Sequence, residues 1–162
     1  MARQPVKITV TSSIDKQISE SVKLYDANTQ RHLDRVANHL RNKILKGMKN
    51  TTTQSEPSKS VNDEPHYPSV EGFPPAIDTG RLANSIFVMR AMPFRNGDEH
   101  SSSVFTNVWY GRKLEEGINV GQRPFMGPDS RAYQDTERYA NAIASDISID
   151  KALPKPAKGV KI

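Results

Sequence analysis

A helical stripe of apolar side chains in the first third of the chain constrains the fold more than any other feature. The stripe has a period of three to four residues and consists of Ile14, Ile18, Val22, Leu33, Val36, Ala37, Leu40, Ile44 and Met48. Hydrophobic residues at this period share one face of an α-helix, which must be buried against another element. We therefore expect a long helix from Ser13 that ends at Gly47 to Asn50. It is either continuous or restarted near residues 25–29, where Asp26 and Asn28 offer N-cap side chains.

Three segments have the alternation or β-branched content of strands. Residues 6–10 alternate apolar and polar side chains, which predicts a short first strand. Residues 86–92 and 103–109 are rich in apolar side chains and flank the Asn96-Gly97 pair. Because Asn-Gly tolerates positive φ angles, this arrangement predicts an antiparallel hairpin with a polar tip.

Residues 51–75 contain five prolines among serines, threonines and acidic residues, with no periodic apolar pattern. Such a segment is typical of a loop. A connection of this length is unusual inside a compact domain. We therefore expect residues 51–75 to form a long loop or an arm that wraps a neighbouring subunit.

The remaining segments predict short helices and a tail. Asp78 can begin a helical turn, residues 111–116 form another that Gly117 closes, and residues 129–146 form an amphipathic helix capped by Asp129 or Ser130. Tyr133 lies on its apolar stripe. Residues 151–162 are extended and basic. The expected architecture is a single α+β domain over residues 1–150, with the long N-terminal helix and the C-terminal helix packed on a small antiparallel sheet.

Several classes of function lack support in the residues. The chain has no cysteine and only four histidines, which excludes thiol chemistry and disulfides and leaves little for a metal site. It shows no membrane span, secretion signal or glycine-rich phosphate loop, so we expect no membrane contact, synthesis in the cytoplasm and no cofactor. No spacing brings Asp78 or Glu115 beside a nucleophile. We expect no enzyme, with a small hydrolase kept as a rival.

The net charge of +5 suggests a second alternative, a basic accessory protein that binds nucleic acid. Basic residues are interleaved with acidic ones through most of the chain, and an excess is found mainly in residues 31–49 and 151–161. The apolar fraction of 35% and the mean hydropathy of -0.66 are low for a domain of this length. They favour a subunit whose order depends partly on assembly.

Three short blocks are not explained by composition. Residues 74–86 contain Asp78-Thr79-Gly80-Arg81-Leu82 and Ser85-Ile86, residues 106–117 contain Tyr110, Leu114-Glu115 and Gly117, and residues 123–128 begin Arg123-Pro124-Phe125. In this order, after a long helix, the blocks resemble the small tail-component family of long-tailed bacteriophages. That family is similar in role to the lambda-like minor tail protein Z. The resemblance covers residues 74 to about 133.

The resemblance implies a structural virion protein at the neck, where head and tail join. Its implied partners are other copies of itself in a ring around the DNA channel, with six copies expected and twelve as the alternative, and neighbouring head-completion, connector, tail-terminator or tail-tube proteins. Passing contact with DNA in the channel is also implied. The chain departs from the family pattern at Gly111-Arg112, where the family often has Ala-Pro, and in its long insertion after residue 51.

The residues of the three blocks are therefore predicted to serve as an interface or a structural motif. Asp78 and Thr79 can cap a turn at Gly80, while Arg81 can either support the fold or pair with an adjacent subunit. Phe125 is expected either to form an interface contact or to fill the core. The full predicted set is Asp78, Thr79, Gly80, Arg81, Leu82, Ser85, Tyr110, Leu114, Glu115, Gly117, Arg123, Pro124 and Phe125.

Overall fold

The computed structural model describes residues 11–54, 56, 58–61, 64–93 and 100–144. Within them the chain is an α+β protein with a long N-terminal helix, a C-terminal helix and a small antiparallel sheet. The predicted strand at 6–10, the hairpin tip at 95–98 and the basic tail at 151–162 lie outside the described residues, as do the last two residues of the predicted 129–146 helix.

Helix α1 (Thr11–Lys49) is continuous over 39 residues. Of the two alternatives, the continuous helix is correct and the restart near residues 25–29 is wrong. Thr29 donates its hydroxyl to the carbonyl of Tyr25 at 3.0 Å. Gly47 lies inside the helix rather than at its end, facing the side chain of Pro74. At 1.5 Å per residue the helix is about 58 Å long.

The predicted hairpin is formed by β3 (Ile86–Pro93) and β4 (His100–Thr106), with Phe87 opposite Phe105. A one-residue irregularity lies between Met89 and Met92 in β3. The prediction that the second strand continues to Trp109 is wrong, because β4 ends at Thr106. The Thr106 hydroxyl accepts the N–H of Val108 at 3.2 Å, which turns the chain out of the sheet.

The prediction of an unstructured loop over residues 51–75 is also wrong in part. This segment contains a second hairpin, β1 (Ser58–Val61) with β2 (Glu64–His66), and an isolated bridge between Thr53 and Ser69. The Ser58–Val61 sequence lacks a run of alternating apolar side chains, so no local pattern indicated a strand. Backbone hydrogen bonds between its two flanks hold the base of the segment closed.

Three shorter helices follow the predicted pattern. Helix α2 (Arg81–Asn84) is the short turn, and α3 (Trp109–Glu116) ends at Gly117, whose φ of 71° is left-handed. Helix α4 (Arg131–Ile143) is capped by Ser130, whose hydroxyl accepts the N–H of Tyr133 at 3.2 Å. Tyr133 itself is 39% exposed, so it lies at the margin of the buried stripe.

Helix α4 packs against the middle of α1. The rings of His39 and Tyr139 stack with centroids 4.1 Å apart, and Lys43 forms a 2.9 Å ion pair with Asp135. On the other side, α1 contacts both strands of the β3–β4 hairpin. The buried core between these elements is a cluster of Ile44, Met48, Leu82, Ile86, Val108 and Phe125. The three sequence blocks supply four of its six members, which places the blocks at the centre of the fold.

Candidate functional site

The three sequence blocks meet around Gly111, on the buried face of α3. A Cβ placed on Gly111 would lie 2.9 Å from the Thr106 methyl, 3.5 Å from a Leu82 methyl and 3.8 Å from the Phe125 ring. Leu82 belongs to the first block, Thr106 to the second and Phe125 to the third. Segments separated by up to 43 positions in sequence therefore form one contiguous unit, which we call the junction.

The first block is joined to the second through two hydroxyl groups. Ser85 donates to the carbonyl of Leu82 at 2.7 Å and lies 2.6 Å from the hydroxyl of Thr106. Since Ser85 has a single hydroxyl proton, the Thr106 hydroxyl donates to it. Thr106 accepts in turn from Val108, so one short chain of hydrogen bonds connects α2, the end of β4 and the start of α3.

The second block is joined to the third by the carboxylate of Glu115. One oxygen, Oε2, accepts the backbone N–H groups of Phe125 at 2.8 Å and Met126 at 3.0 Å. The other, Oε1, accepts the N–H of Gly127 at 2.7 Å. A carboxylate that accepts several backbone amides is held by charge-assisted hydrogen bonds, the stronger class in proteins. Both oxygens of Glu115 are thereby committed to fixing the loop that follows α3.

The close approach of the Glu115 carboxylate depends on the glycine that it contacts. A Cβ on Gly127 would lie 2.7 Å from Oε1, a distance that real contacts do not show. The N–H of Arg123 also donates to the carbonyl of Leu114 at 2.8 Å, which fixes the start of the same loop. The loop is therefore attached to α3 at both of its ends.

Arg123 connects the junction to the segment that was expected to be an arm. Its Nε and Nη2 both donate to the carbonyl of Ser69 at 3.2 Å, and Nη1 donates to the carbonyl of Gly121 at 2.9 Å. Ser69 is 2% exposed and belongs to the bridge at the base of residues 51–75. The guanidinium thus serves as an internal brace for two loops.

The other predicted residues divide between core and surface. Leu82 and Phe125 are buried, so the core interpretation of Phe125 is correct and the interface interpretation is wrong. Arg81 is exposed. Gly80 stands at the N-cap of α2 with φ of 75°, and the hydroxyl of Thr79 accepts the N–H of Arg81 at a long distance of 3.4 Å.

A surface groove of about 340 Å³ lies between the blocks. Its wall includes Asp78, Thr79, Gly80 and Arg81, together with the half-buried side chains of Tyr110, Leu114 and Arg123. Pro124 is not part of this wall. Ser85 and Glu115 act behind this wall, through the hydrogen bonds described above. Sequence reasoning did not single out Ser69, Thr106 or Gly127, since the contact that joins each of them to another block or segment is made with a partner far away in sequence.

No cluster of three metal-binding side chains and no helix suited to crossing a membrane is found in the described part of the chain. Comparison with known proteins gives no match to a family model, a curated protein or a solved structure.

Proposed function

We propose that this chain is a structural subunit of a tailed-bacteriophage virion, forming a ring at the neck that joins tail to head around the DNA channel. The observation that carries the proposal is the junction itself. The three blocks that resemble the phage tail-component family meet at Gly111 and are tied by Ser85, Glu115 and Arg123. Because these residues contact one another in one folded unit, there is a physical reason for them to occur together as a sequence motif.

The engagement of Glu115 and Arg123 supports a structural role for these charged residues. Both oxygens of the Glu115 carboxylate accept backbone amides, and all three donor nitrogens of Arg123 contact backbone carbonyls. Groups bound in this way maintain the backbone and are not presented to a substrate. The rival interpretation of Glu115 as a hydrolytic acid or base gains no support from this geometry.

Exposed apolar side chains support assembly with other proteins. Trp109 in α3 is 69% exposed, Met89 in β3 is 52% exposed and Ile77 in the loop before α2 is 46% exposed. Large exposed aromatic and aliphatic side chains are enriched where proteins dock. A ring requires two different surfaces that meet head to tail, and these side chains are distributed widely enough to belong to more than one surface.

Electron microscopy of particles made without this protein tests the proposal. We expect full heads and separate tails that fail to join, and rescue by the wild-type chain supplied in trans. Mass spectrometry of purified particles should detect the protein. Joined, infectious particles made in its absence, or mature particles that lack it, would refute the neck assignment.

A basic groove supports one alternative, binding of nucleic acid. A second groove, of about 740 Å³, is lined by Lys43, Lys46, Arg131 and Arg138 together with Asp129 and Asp135. Counterion release makes such binding strongly salt-dependent. Tight DNA binding that weakens steeply with added salt and is lost in Lys46→Glu would favour this alternative, whereas weak binding unaffected by Lys46→Glu would leave the groove without such a role.

A further inference from the structure

The two edges of the β3–β4 hairpin differ in the hydrogen bonds that their backbones form with the rest of the molecule. On β3, Arg41 of α1 donates to the carbonyl of Ile86 at 2.9 Å, and Asp34 accepts the N–H of Ala91 at 2.7 Å. Within the described residues, no group outside the hairpin bonds to the backbone of β4. Helix α1 therefore reaches backbone groups of β3, while the described part of the chain leaves the outer edge of β4 open.

The open edge lacks the features that normally discourage strand addition. Strand β4 has seven residues, His-Ser-Ser-Ser-Val-Phe-Thr, with no proline, lysine or acidic residue. Natural edge strands are usually protected by such residues or by a covering element. An unprotected edge of about 24 Å offers a row of backbone donors and acceptors to an extended segment.

An apolar surface lies beside this edge. Phe87, Met89 and Phe105 occupy the face of the hairpin that points away from the core and are 44%, 52% and 40% exposed. We call these three residues the hairpin face. The rings of Phe87 and Phe105 lie 5.9 Å apart across the two strands. A strand added at β4 with apolar side chains on this side would extend the patch and cover part of it.

The sequence contains one candidate for such a strand, residues 6–10, with Val6, Ile8 and Val10 alternating with Lys7 and Thr9. The segment directly precedes α1, which runs antiparallel to β3. Arg41 lies beside Ile86, Asp34 beside Ala91, and Asp26 lies 3.7 Å from His100 at the start of β4. The start of α1 therefore lies beyond the end of the hairpin at which His100 stands.

The length of α1 argues against pairing of this segment with β4 of its own chain. Thr11 precedes Asp26 by 15 positions, which corresponds to about 22 Å of helix. Five extended residues span only about 17 Å, even if they fold straight back from Thr11. A strand of this length would end short of His100 in the same chain, which leaves β4 of another copy as the acceptor.

We propose that residues 6–10 of one copy add as a strand to the open edge of β4 in the next copy, with Val6, Ile8 and Val10 on the side of the hairpin face. This inference deepens the proposed ring function and rests on it for its biological setting. The donated segment and the accepting edge are different surfaces, so the contact is head to tail and can repeat around a closed ring. Such a contact also accounts for the low apolar content of the chain, because one strand of the sheet is supplied by a neighbouring copy on assembly.

Disulfide trapping in the full-length chain tests the proposal directly, because the natural sequence has no cysteine. Ile8→Cys protein and Ser103→Cys protein, mixed and oxidised mildly, should form a disulfide-linked pair containing one of each. The matched control replaces Ser103→Cys by Glu137→Cys, an exposed position on α4, and should give no such pair. A Ser103→Cys pair that forms equally well without the Ile8→Cys partner would instead indicate pairing of two β4 edges and overturn the proposal.

The chain carrying both cysteines distinguishes the remaining outcomes. Oxidation should produce a ladder of linked copies, whereas a compact monomer with an internal disulfide would show that the segment reaches its own hairpin and would refute the inference. Light scattering provides a second readout: Ile8→Asp should abolish the oligomer and Thr9→Asp, with the same charge on the other side of the segment, should retain it. Equal behaviour of these two variants would contradict the assigned face. Trapping that succeeds while particles join normally without the protein would refute the neck function alone.

Discussion

Glu115 and Gly127 are positioned so that each requires the other. The Oε1 atom of Glu115 accepts the Gly127 N–H at 2.7 Å, in the space that a side chain at residue 127 would occupy. This contact, with the two to Phe125 and Met126, orders the loop that contains the third sequence block.

We predict that Glu115→Ala lowers the free energy of unfolding by about 3 kcal/mol, because three amides lose a charged acceptor at once. Glu115→Gln should cost less, since its single carbonyl oxygen can still accept at the Oε2 position. Glu116→Gln is the matched control, as that side chain is exposed and pairs with the exposed Arg112 in the same helix, so its effect should stay below about 0.5 kcal/mol. Urea denaturation followed by circular dichroism measures all three, and equal effects at 115 and 116 would contradict the described role.

A second prediction concerns the close packing around Gly111. Gly111→Ala should destabilise the protein by about 1 to 2 kcal/mol, because the new methyl meets the Thr106 methyl at 2.9 Å and overpacking outweighs the helix propensity of alanine. Thr106→Ser removes that methyl and keeps the hydroxyl that bonds Ser85 and Val108. In the Thr106→Ser background, Gly111→Ala should therefore be neutral or stabilising. A double-mutant cycle from thermal unfolding gives the coupling, and strictly additive effects would exclude the contact.

Arg123→Lys should weaken the connection between the third block and residue 69. A lysine has one ammonium group and lacks the planar fork that contacts the carbonyls of Ser69 and Gly121 together, so we expect a loss of about 1 to 2 kcal/mol. Hydrogen exchange should increase at the amides of Val70 and Gln54, which bond across the base of this segment. Arg112→Lys, at an exposed position, serves as the control and should leave that exchange unchanged.

The contact between α1 and α4 should make stability depend on pH. Burial lowers the pKa of His39, and the charge of Lys43 lowers it further. The unfolded chain therefore binds protons more readily than the folded one. The contribution of neutral His39 to the free energy of unfolding is fully present above about pH 6.5. It is lost as the pH falls from there through the folded-state pKa. His39→Phe, which can keep the stack on Tyr139, should remove this loss; identical pH profiles for the two proteins would refute the prediction.

A separate loss is expected at lower pH from Asp135. Its hydrogen bond to Lys43 lowers the pKa of the carboxyl, so the pair stabilises the protein above about pH 4 and loses its effect as the pH falls through the folded-state value. Lys43→Met should flatten the stability profile in this acidic range while costing only about 0.2 to 1 kcal/mol near neutral pH, as expected for a partly exposed pair. An unchanged acidic profile in Lys43→Met would contradict this assignment.

The elements that were predicted correctly are those set by local physics. The stripe ending at Met48 defines α1, Ser130 caps α4 through a neighbour three residues away, and Gly117 ends α3 because only glycine adopts its φ easily. The antiparallel hairpin of β3 and β4 likewise follows from two adjacent apolar segments and a short connection that contains Asn-Gly.

Features determined by distant partners could not be predicted in this way. Strand β1 has no apolar alternation, and its segment is closed by a bridge at Ser69 that Arg123 supports from 54 positions away. The sequence left both a core position and an interface position open for Phe125, because the outcome depends on whether α2 and α3 pack together over its ring. That packing is a property of the assembled chain, and no window around residue 125 contains it.

The anchoring of the loop after α3 has a consequence for any contact that it makes. Because Glu115 and Arg123 already restrict its backbone, the loop loses little conformational freedom when a neighbour docks on it. In a closed assembly this benefit recurs at every copy, so modest individual contacts at such a loop can sum to a stable whole. A neighbour that docks on this loop would meet a backbone that is already ordered.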